Sequence, residues 1–138
     1  MGVTRHDIRE SEFIIIFEKL FREESITELL ELSLDNESVT VNDEVKETAE
    51  GVFAHLDEID AVISKFSEKR NIARMPKINL AILRLAIYEI LYKTDKAPVR
   101  VIINEAVGLA KKYAQDADVS FINGVLGAYS RTLGEDNA

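Results

Sequence analysis

Two arginines and a histidine near the start of the chain are the residues whose types and spacing best fit a binding chemistry. Arg5 and Arg9 are four positions apart, so on a helix they project from one face, and His6 lies beside them. Arginine forks suit phosphate oxygens, and Phe17 offers a ring on which a nucleobase could stack. The alternative, which composition alone favours, is that the arginines pair with nearby carboxylates and that Phe17 is a core residue. Those carboxylates are Asp7, Glu10 and Glu12.

The sequence contains no catalytic constellation. Its two histidines, His6 and His55, are far apart, and it has no cysteine, no zinc-binding His-Glu-x-x-His motif, no glycine-rich phosphate loop and no nucleophile elbow. Carboxylates are numerous, but they are predicted to lie on a solvated surface, which does not suit acid–base catalysis. We therefore predict a protein that is not an enzyme, and we expect no cofactor and no metal.

The net charge of −8 argues against unaided binding of a polyanion, but the charge is unevenly distributed. Residues 25–70 contain twelve acidic and four basic side chains, whereas residues 71–138 contain nine basic and seven acidic ones. Electrostatic attraction is decided within about one Debye length, roughly 8 Å at physiological salt. The two ends of the chain can therefore still meet an anion locally.

Length and composition indicate one globular domain over residues 1–138. A chain of 138 residues, of which 46% are hydrophobic, can bury a substantial core. The lack of cysteine suits a reducing compartment. The chain does not open with the apolar run that is typical of a secretory signal, and its most apolar segment is too short to span a membrane. We therefore expect a cytoplasmic protein that has no membrane association.

The most apolar stretch of the chain, residues 76–92, predicts the central helix of an all-α fold. Over residues 78–92 only Asn79, Arg84 and Glu89 are plainly polar, and fifteen such positions exceed the usual length of a strand. The proline that opens the stretch suits the first helical position. A helix that is apolar nearly all round is surrounded by other helices, so we expect it to be the centre of a helical domain.

Apolar residues at three- and four-residue spacing predict further helices around this one. These cover residues 4–23 and 26–33, one long helix from residue 41 or 42 to residue 66, a helix after Pro98 that ends in Lys111-Lys112, and a last helix that Asp118 caps, followed by a tail at residues 134–138. Thr4, Ser25 and Asp118 are the predicted N-caps, and Ser25 with Glu28 matches a capping box.

Polar and small residues within these helices carry further predictions. Asn104 and Asn123 are predicted to be buried hydrogen-bonding residues. Gly124 and Gly127 are predicted to allow the close approach of a neighbouring helix. The acidic side of the long helix, from Glu47 to Asp60, is predicted to be a solvated surface.

Four segments in the second half of the chain resemble motifs of one protein family. They are Ala81-Ile-Leu-Arg-Leu-Ala-Ile-Tyr-Glu, Pro98-Val-Arg-Val-Ile-Ile-Asn-Glu-Ala, Leu109-Ala-Lys-Lys-Tyr and Phe121-Ile-Asn-Gly-Val-Leu. In this order and spacing they are similar to the NusB family of bacterial transcription antitermination factors. The match covers about residues 76–128, and Thr4-Arg-His-Asp-Ile-Arg-Glu resembles the family's arginine-rich start.

The resemblance implies about seven helices in two small packed bundles. It also implies a protein that pairs with a small-subunit ribosomal protein, NusE, and binds the boxA element of nascent RNA. The complex would join the elongating RNA polymerase and suppress termination, notably in ribosomal RNA operons. By matching positions, the resemblance assigns RNA contacts to Arg5, His6, Arg9, Phe17, Ser120 and Phe121, and partner contacts to Asn79 and Asp118.

The chain departs from the family pattern at four of its positions. His6 stands where arginine is usual, Ser120 lacks a basic side chain, Ala117 replaces a frequent acid, and Asn79 replaces another. These departures imply a lower affinity for RNA or for the partner protein and leave the fold unaffected.

Two rival hypotheses remain. The chain could be a protein-interaction module or a homodimer whose RNA site is weakened, which its thin basic cluster supports. It could also be a NusB-like domain of the kind joined to ribosomal RNA methyltransferases. The lack of a methyltransferase segment in the sequence disfavours the second hypothesis.

Overall fold

The computed structural model describes residues 2–68 and 70–134. Over these residues the chain forms seven α-helices, one 3-10 turn and no strand, which confirms the predicted all-α fold. The helices are α1 (Arg5–Lys19), α2 (Ile26–Leu32), α3 (Asp43–Ala54), α4 (Leu56–Phe66), α5 (Lys77–Tyr92), α6 (Val99–Tyr113) and α7 (Asp116–Arg131), and the 3-10 turn is Ile72–Arg74.

The chain divides into two compact units, Met1–Ala54 and His55–Ala138, in keeping with the two bundles that the resemblance implied. In the first unit, α1 packs against α2 and α3, which also contact each other. In the second unit, α5 packs against α4, α6 and α7, and α7 also contacts α4 and α6. The assignment of residues 1–138 to a single domain stays a prediction.

Helix α5 occupies the centre of the second unit, as its apolar sequence predicts. Every residue from Asn79 to Ile90 is buried. The helix begins one residue later than predicted, because Pro76 is its N-cap and not its first residue. Burial of the Arg84 side chain is compensated by Asp60 of α4, whose carboxylate accepts two hydrogen bonds from the guanidinium, at 2.9 and 2.8 Å.

The prediction of one long helix up to residue 66 is wrong, because α3 ends at Ala54 and α4 begins at Leu56. Between them His55 has φ −116° and ψ 27°, which lie outside the helical region. The apolar spacing continues across the break, from buried Val52 to buried Ile59, so periodicity does not reveal it. The break coincides with the boundary between the two units.

Three further predictions within the helices are corrected by the structure. Gln115, and not Asp118, is the N-cap of α7, and Asp118 lies in its first turn. Asn104 and Asn123 are exposed and therefore are not buried hydrogen-bonding residues. A Cβ atom at Gly124 would meet no atom within 4 Å, and one at Gly127 only the Arg131 side chain at 3.6 Å, so neither glycine is needed for close helix packing.

Candidate nucleic-acid interface

The first candidate cluster lies at the start of α1, where a capping box fixes the helix terminus. The hydroxyl of Thr4 accepts a hydrogen bond from the Asp7 backbone N–H at 3.0 Å, and the Asp7 carboxylate accepts one from the Thr4 backbone N–H at 3.1 Å. The pKa of Asp7 is lowered, chiefly because its ionised carboxylate accepts the hydrogen bond from the Thr4 backbone, and further by the interaction of the carboxylate with the Thr4 side chain. The half of the cap that the Asp7 carboxylate makes is therefore present when Asp7 is ionised and is lost as the pH falls through this lowered pKa, whereas the bond to the Thr4 hydroxyl does not titrate.

The three basic residues of this turn differ in how accessible they are. Arg5 has 58% of its side chain exposed and makes a bidentate ion pair with Glu44 of α3, in which Nη1 lies 2.9 Å from Oε1. His6 is also exposed, and its Nε2 lies 3.8 Å from Oε1 of Glu10. Arg9 is only 8% exposed. Arg5 and His6 can therefore meet a ligand directly, whereas Arg9 is covered.

The expected alternative, that Arg5 pairs with a carboxylate, holds, but the carboxylate is distant in sequence. Glu44 is 39 positions away, whereas the sequence suggested the carboxylates of the same helix. A phosphate that binds Arg5 would have to share its guanidinium with Glu44 or displace Glu44, because the phosphate and the carboxylate compete for the same N–H donors.

Phe17 is half-buried within a row of three phenylalanine rings. Its ring centroid lies 6.1 Å from that of Phe13 and 5.0 Å from that of Phe21. Phe13 is buried, whereas Phe21 is 60% exposed. Phe17 is thus neither a pure core residue nor an open stacking platform, and Phe21 adds an accessible ring that the sequence did not single out.

The second candidate cluster lies on α7 in the second unit. Ser120 is exposed and Phe121 is half-buried. The guanidinium of Arg70 lies over the Phe121 ring, 4.1 Å from its centroid, in a cation–π contact. Arg70 was not predicted as a site residue, because nothing in the local sequence connects it with a residue so far along the chain.

Phe121 opens onto a groove of about 1100 Å³ between the end of α4 and one side of α7. Its lining combines cations, aromatic rings and small residues. These residues are Lys65, Phe66, Ser67, Glu68, Arg70, Ser120, Phe121, Gly124, Val125, Ala128 and Arg131.

The two residues assigned to partner contacts lie apart from this groove lining. Asn79 is wholly buried in α5, and neither amide atom, Oδ1 or Nδ2, has a hydrogen-bond partner among the described residues. A direct contact between Asn79 and a partner would need this part of α5 to be uncovered. Asp118 is half-buried. Both assignments stay predictions, as do those of the six RNA contacts.

Neither a metal-binding cluster nor a membrane-spanning helix is found among residues 2–68 and 70–134. No group of three or more histidine or acidic side chains is placed to hold a metal ion there. Likewise, no helix in this part of the chain is long and apolar enough to cross a bilayer.

The fold and the second cluster describe an all-helical protein that presents a cation against an aromatic ring, a combination found in proteins that bind nucleic acids. A model of the NusB family matches residues 4–131. The transcription antitermination protein NusB of Agathobacter rectalis is 41% identical over 133 residues, which cover 93% of this chain and 100% of that protein. The NusB of Acetivibrio thermocellus is 40% identical over 125 residues, which cover 89% of this chain and 86% of that protein.

Solved structures agree with the family match. NusB of T. maritima superposes with a TM-score of 0.81 at 31% identity and covers 95% of this chain and 93% of its own. A crystal structure of the antitermination factors NusB and NusE with double-stranded RNA gives a TM-score of 0.79 at 27% identity, with 93% and 96% covered. The chain belongs to the NusB family, and the resemblance seen in its motifs is confirmed.

Proposed function

We propose that this chain is a transcription antitermination factor that binds boxA RNA together with the ribosomal protein NusE. In that role it joins the elongating RNA polymerase and suppresses termination, notably in ribosomal RNA operons. The observation that carries the proposal is a match over nearly the whole chain to relatives named transcription antitermination protein NusB. The likeness to the crystallised complex of NusB, NusE and RNA supports both partners.

At the level of residues, the proposed RNA contacts are those predicted residues whose side chains are exposed or half-buried. Arg5, His6 and Phe17 belong to the first unit, and Ser120 and Phe121 to the second. We assign Arg9 to the support of α1, since its side chain is buried. The protein acts in the cytoplasm by binding and not by catalysis, as the lack of catalytic motifs in the sequence supports.

Phe121 provides the sharpest residue-level test of this function. Phe121→Leu keeps apolar bulk but removes the ring, and base–aromatic stacking is worth about 1–3 kcal/mol per base. We therefore expect Phe121→Leu to weaken boxA binding by the complex with NusE about tenfold or more. The matched control, Phe121→Tyr, keeps the ring and should bind nearly as the unaltered protein does. Equal affinities of the leucine and tyrosine variants, measured by fluorescence anisotropy, would show that no base stacks there.

A second candidate function is a protein-interaction module or homodimer with a weakened RNA site. The observation that favours it is the state of the first cluster, in which Arg5 is paired with Glu44 and Arg9 is buried. Sedimentation of the isolated chain distinguishes the two candidates. A stable dimer that binds no boxA RNA, even with NusE present, supports the second.

A further inference from the structure

The groove beside Phe121 has a floor that leaves room for a ligand. It follows one side of α7 from Phe121 to Arg131, a rise of roughly 15 Å along a helix. Gly124 and Ala128, one turn apart, line this path with almost no side-chain bulk. The space over Gly124 is open, since even a Cβ atom there would touch nothing within 4 Å.

Three cations line the groove, and their surroundings differ from those of other arginines in the chain. Arg5, Arg22 and Arg84 each pair with a carboxylate. In contrast, Lys65, Arg70 and Arg131 are exposed, and none of the three has an ion-pair partner among residues 2–68 and 70–134. Among the described residues of the lining Glu68 is the one acidic residue, so this part of the groove is locally cationic in a chain whose net charge is −8. Such a groove suits an anionic ligand.

The backbone holds Arg70 over the Phe121 ring. After α4, Glu68 takes a left-handed conformation with φ 58°, which is uncommon for a residue other than glycine. The turn is closed by two hydrogen bonds at 3.2 Å, from the Arg70 backbone N–H to the Ser67 carbonyl and from the Ser67 hydroxyl to the Arg70 carbonyl. From this backbone the planar guanidinium lies over the Phe121 ring, on the surface where a base would stack.

We infer that this groove is an additional binding site for the sugar–phosphate backbone of single-stranded RNA, with Arg70 as an exchangeable cover of Phe121. A base that stacks on Phe121 displaces the Arg70 guanidinium, which then binds a phosphate. Arg131 and Lys65 bind further phosphates along the groove. This inference rests on the proposed function, because it concerns the RNA segment that passes Phe121.

The test is a salt titration of boxA affinity for the complex with NusE. Variants Arg131→Ala, Lys65→Ala and Arg70→Ala each remove one groove cation. Arg74→Ala is the matched control, because Arg74 is exposed in the same unit but does not line the groove. Each groove variant should make the log–log salt slope shallower by about 0.7 and weaken binding about fivefold near 0.1 M salt. The control should leave slope and affinity unchanged.

Arg70→Ala should show one further effect, because it also uncovers the ring. As salt rises, the lost phosphate contact matters less, whereas the uncovered ring remains an advantage. The line for Arg70→Ala should therefore cross that of the unaltered protein toward high salt, and the line for Arg131→Ala should not. Because each variant loses one phosphate contact, the lines for Arg70→Ala and Arg131→Ala should be parallel, with that of Arg70→Ala at higher affinity. Coincident lines for the two variants would overturn the role of Arg70 as a cover.

Failure of the inference is distinguishable from failure of the proposed function. If the unaltered complex binds boxA while all groove variants keep its slope and affinity, the groove site is wrong and the function stands. If the groove variants instead lose NusE binding measured without RNA, the groove is a protein interface and the inference is overturned. If the unaltered complex does not bind boxA at all, the proposed function itself fails.

Discussion

Leu85→Ala should lower the free energy of unfolding by about 2–5 kcal/mol, the range measured for leucines in close-packed cores. Leu85 is 2% exposed and lies midway along α5, the helix that packs against α4, α6 and α7. Truncation removes buried methyl groups and leaves a cavity that close-packed surroundings fill only in part. The loss should appear as a lower urea midpoint with an unchanged slope.

The chain offers a probe that reports on the second unit alone. All four tyrosines lie in residues 55–138, and the chain has no tryptophan. Tyrosine fluorescence during urea unfolding therefore follows the unit that contains Leu85. The control is Ser64→Ala in α4 of the same unit, since Ser64 is exposed and its truncation should change stability by less than about 0.5 kcal/mol. A loss as small as this for Leu85→Ala would mean that α5 is not the centre of its unit.

The second large effect concerns the ion pair between Arg84 and Asp60. The Arg84 side chain is 8% exposed, the Asp60 side chain is 25% exposed, and the pair is bidentate. Removing one partner of a buried pair costs about 3–5 kcal/mol, because the other charge is left uncompensated. Arginine cannot lose its proton to escape this cost. We therefore expect Asp60→Ala to cost about 3 kcal/mol.

The reciprocal change should be milder. In Arg84→Met the remaining carboxylate of Asp60 is partly exposed, so water can solvate it, and the methionine fills much of the space. The double variant should be more stable than Asp60→Ala alone, because no buried charge remains. An Asp60→Ala variant as stable as the unaltered protein would show that water already solvates Arg84.

The features that the sequence predicted correctly depend on local patterns. The caps at Thr4 and Ser25 are set by residues three positions apart, and both capping boxes are present. The central position of α5 follows from its continuous apolar run, which leaves no face for solvent. The family follows from four motifs in a fixed order.

The features that the sequence missed depend on contacts between distant residues. The pairing of Arg5 with Glu44 and the cover of Phe121 by Arg70 both join separate helices or turns. The break at His55 leaves the apolar periodicity in phase, so a pattern search reads one helix where the fold has two. Asn104 and Asn123 lie within apolar segments but face outward, and an apolar neighbourhood in sequence does not fix which side of a helix a residue takes.

Dependence on a partner is the central claim, because a chain with a net charge of −8 provides little long-range attraction to RNA. In the first cluster Arg5 is already paired with the Glu44 carboxylate, and His6 is charged only when protonated. NusE would supply missing cations and further contact area.

The most direct measurement is therefore an anisotropy titration of labelled boxA RNA with the isolated chain and with its complex with NusE. We predict weak binding by the chain alone and at least about tenfold tighter binding by the complex. Equal affinity in the two titrations, or no binding in either, would contradict this account.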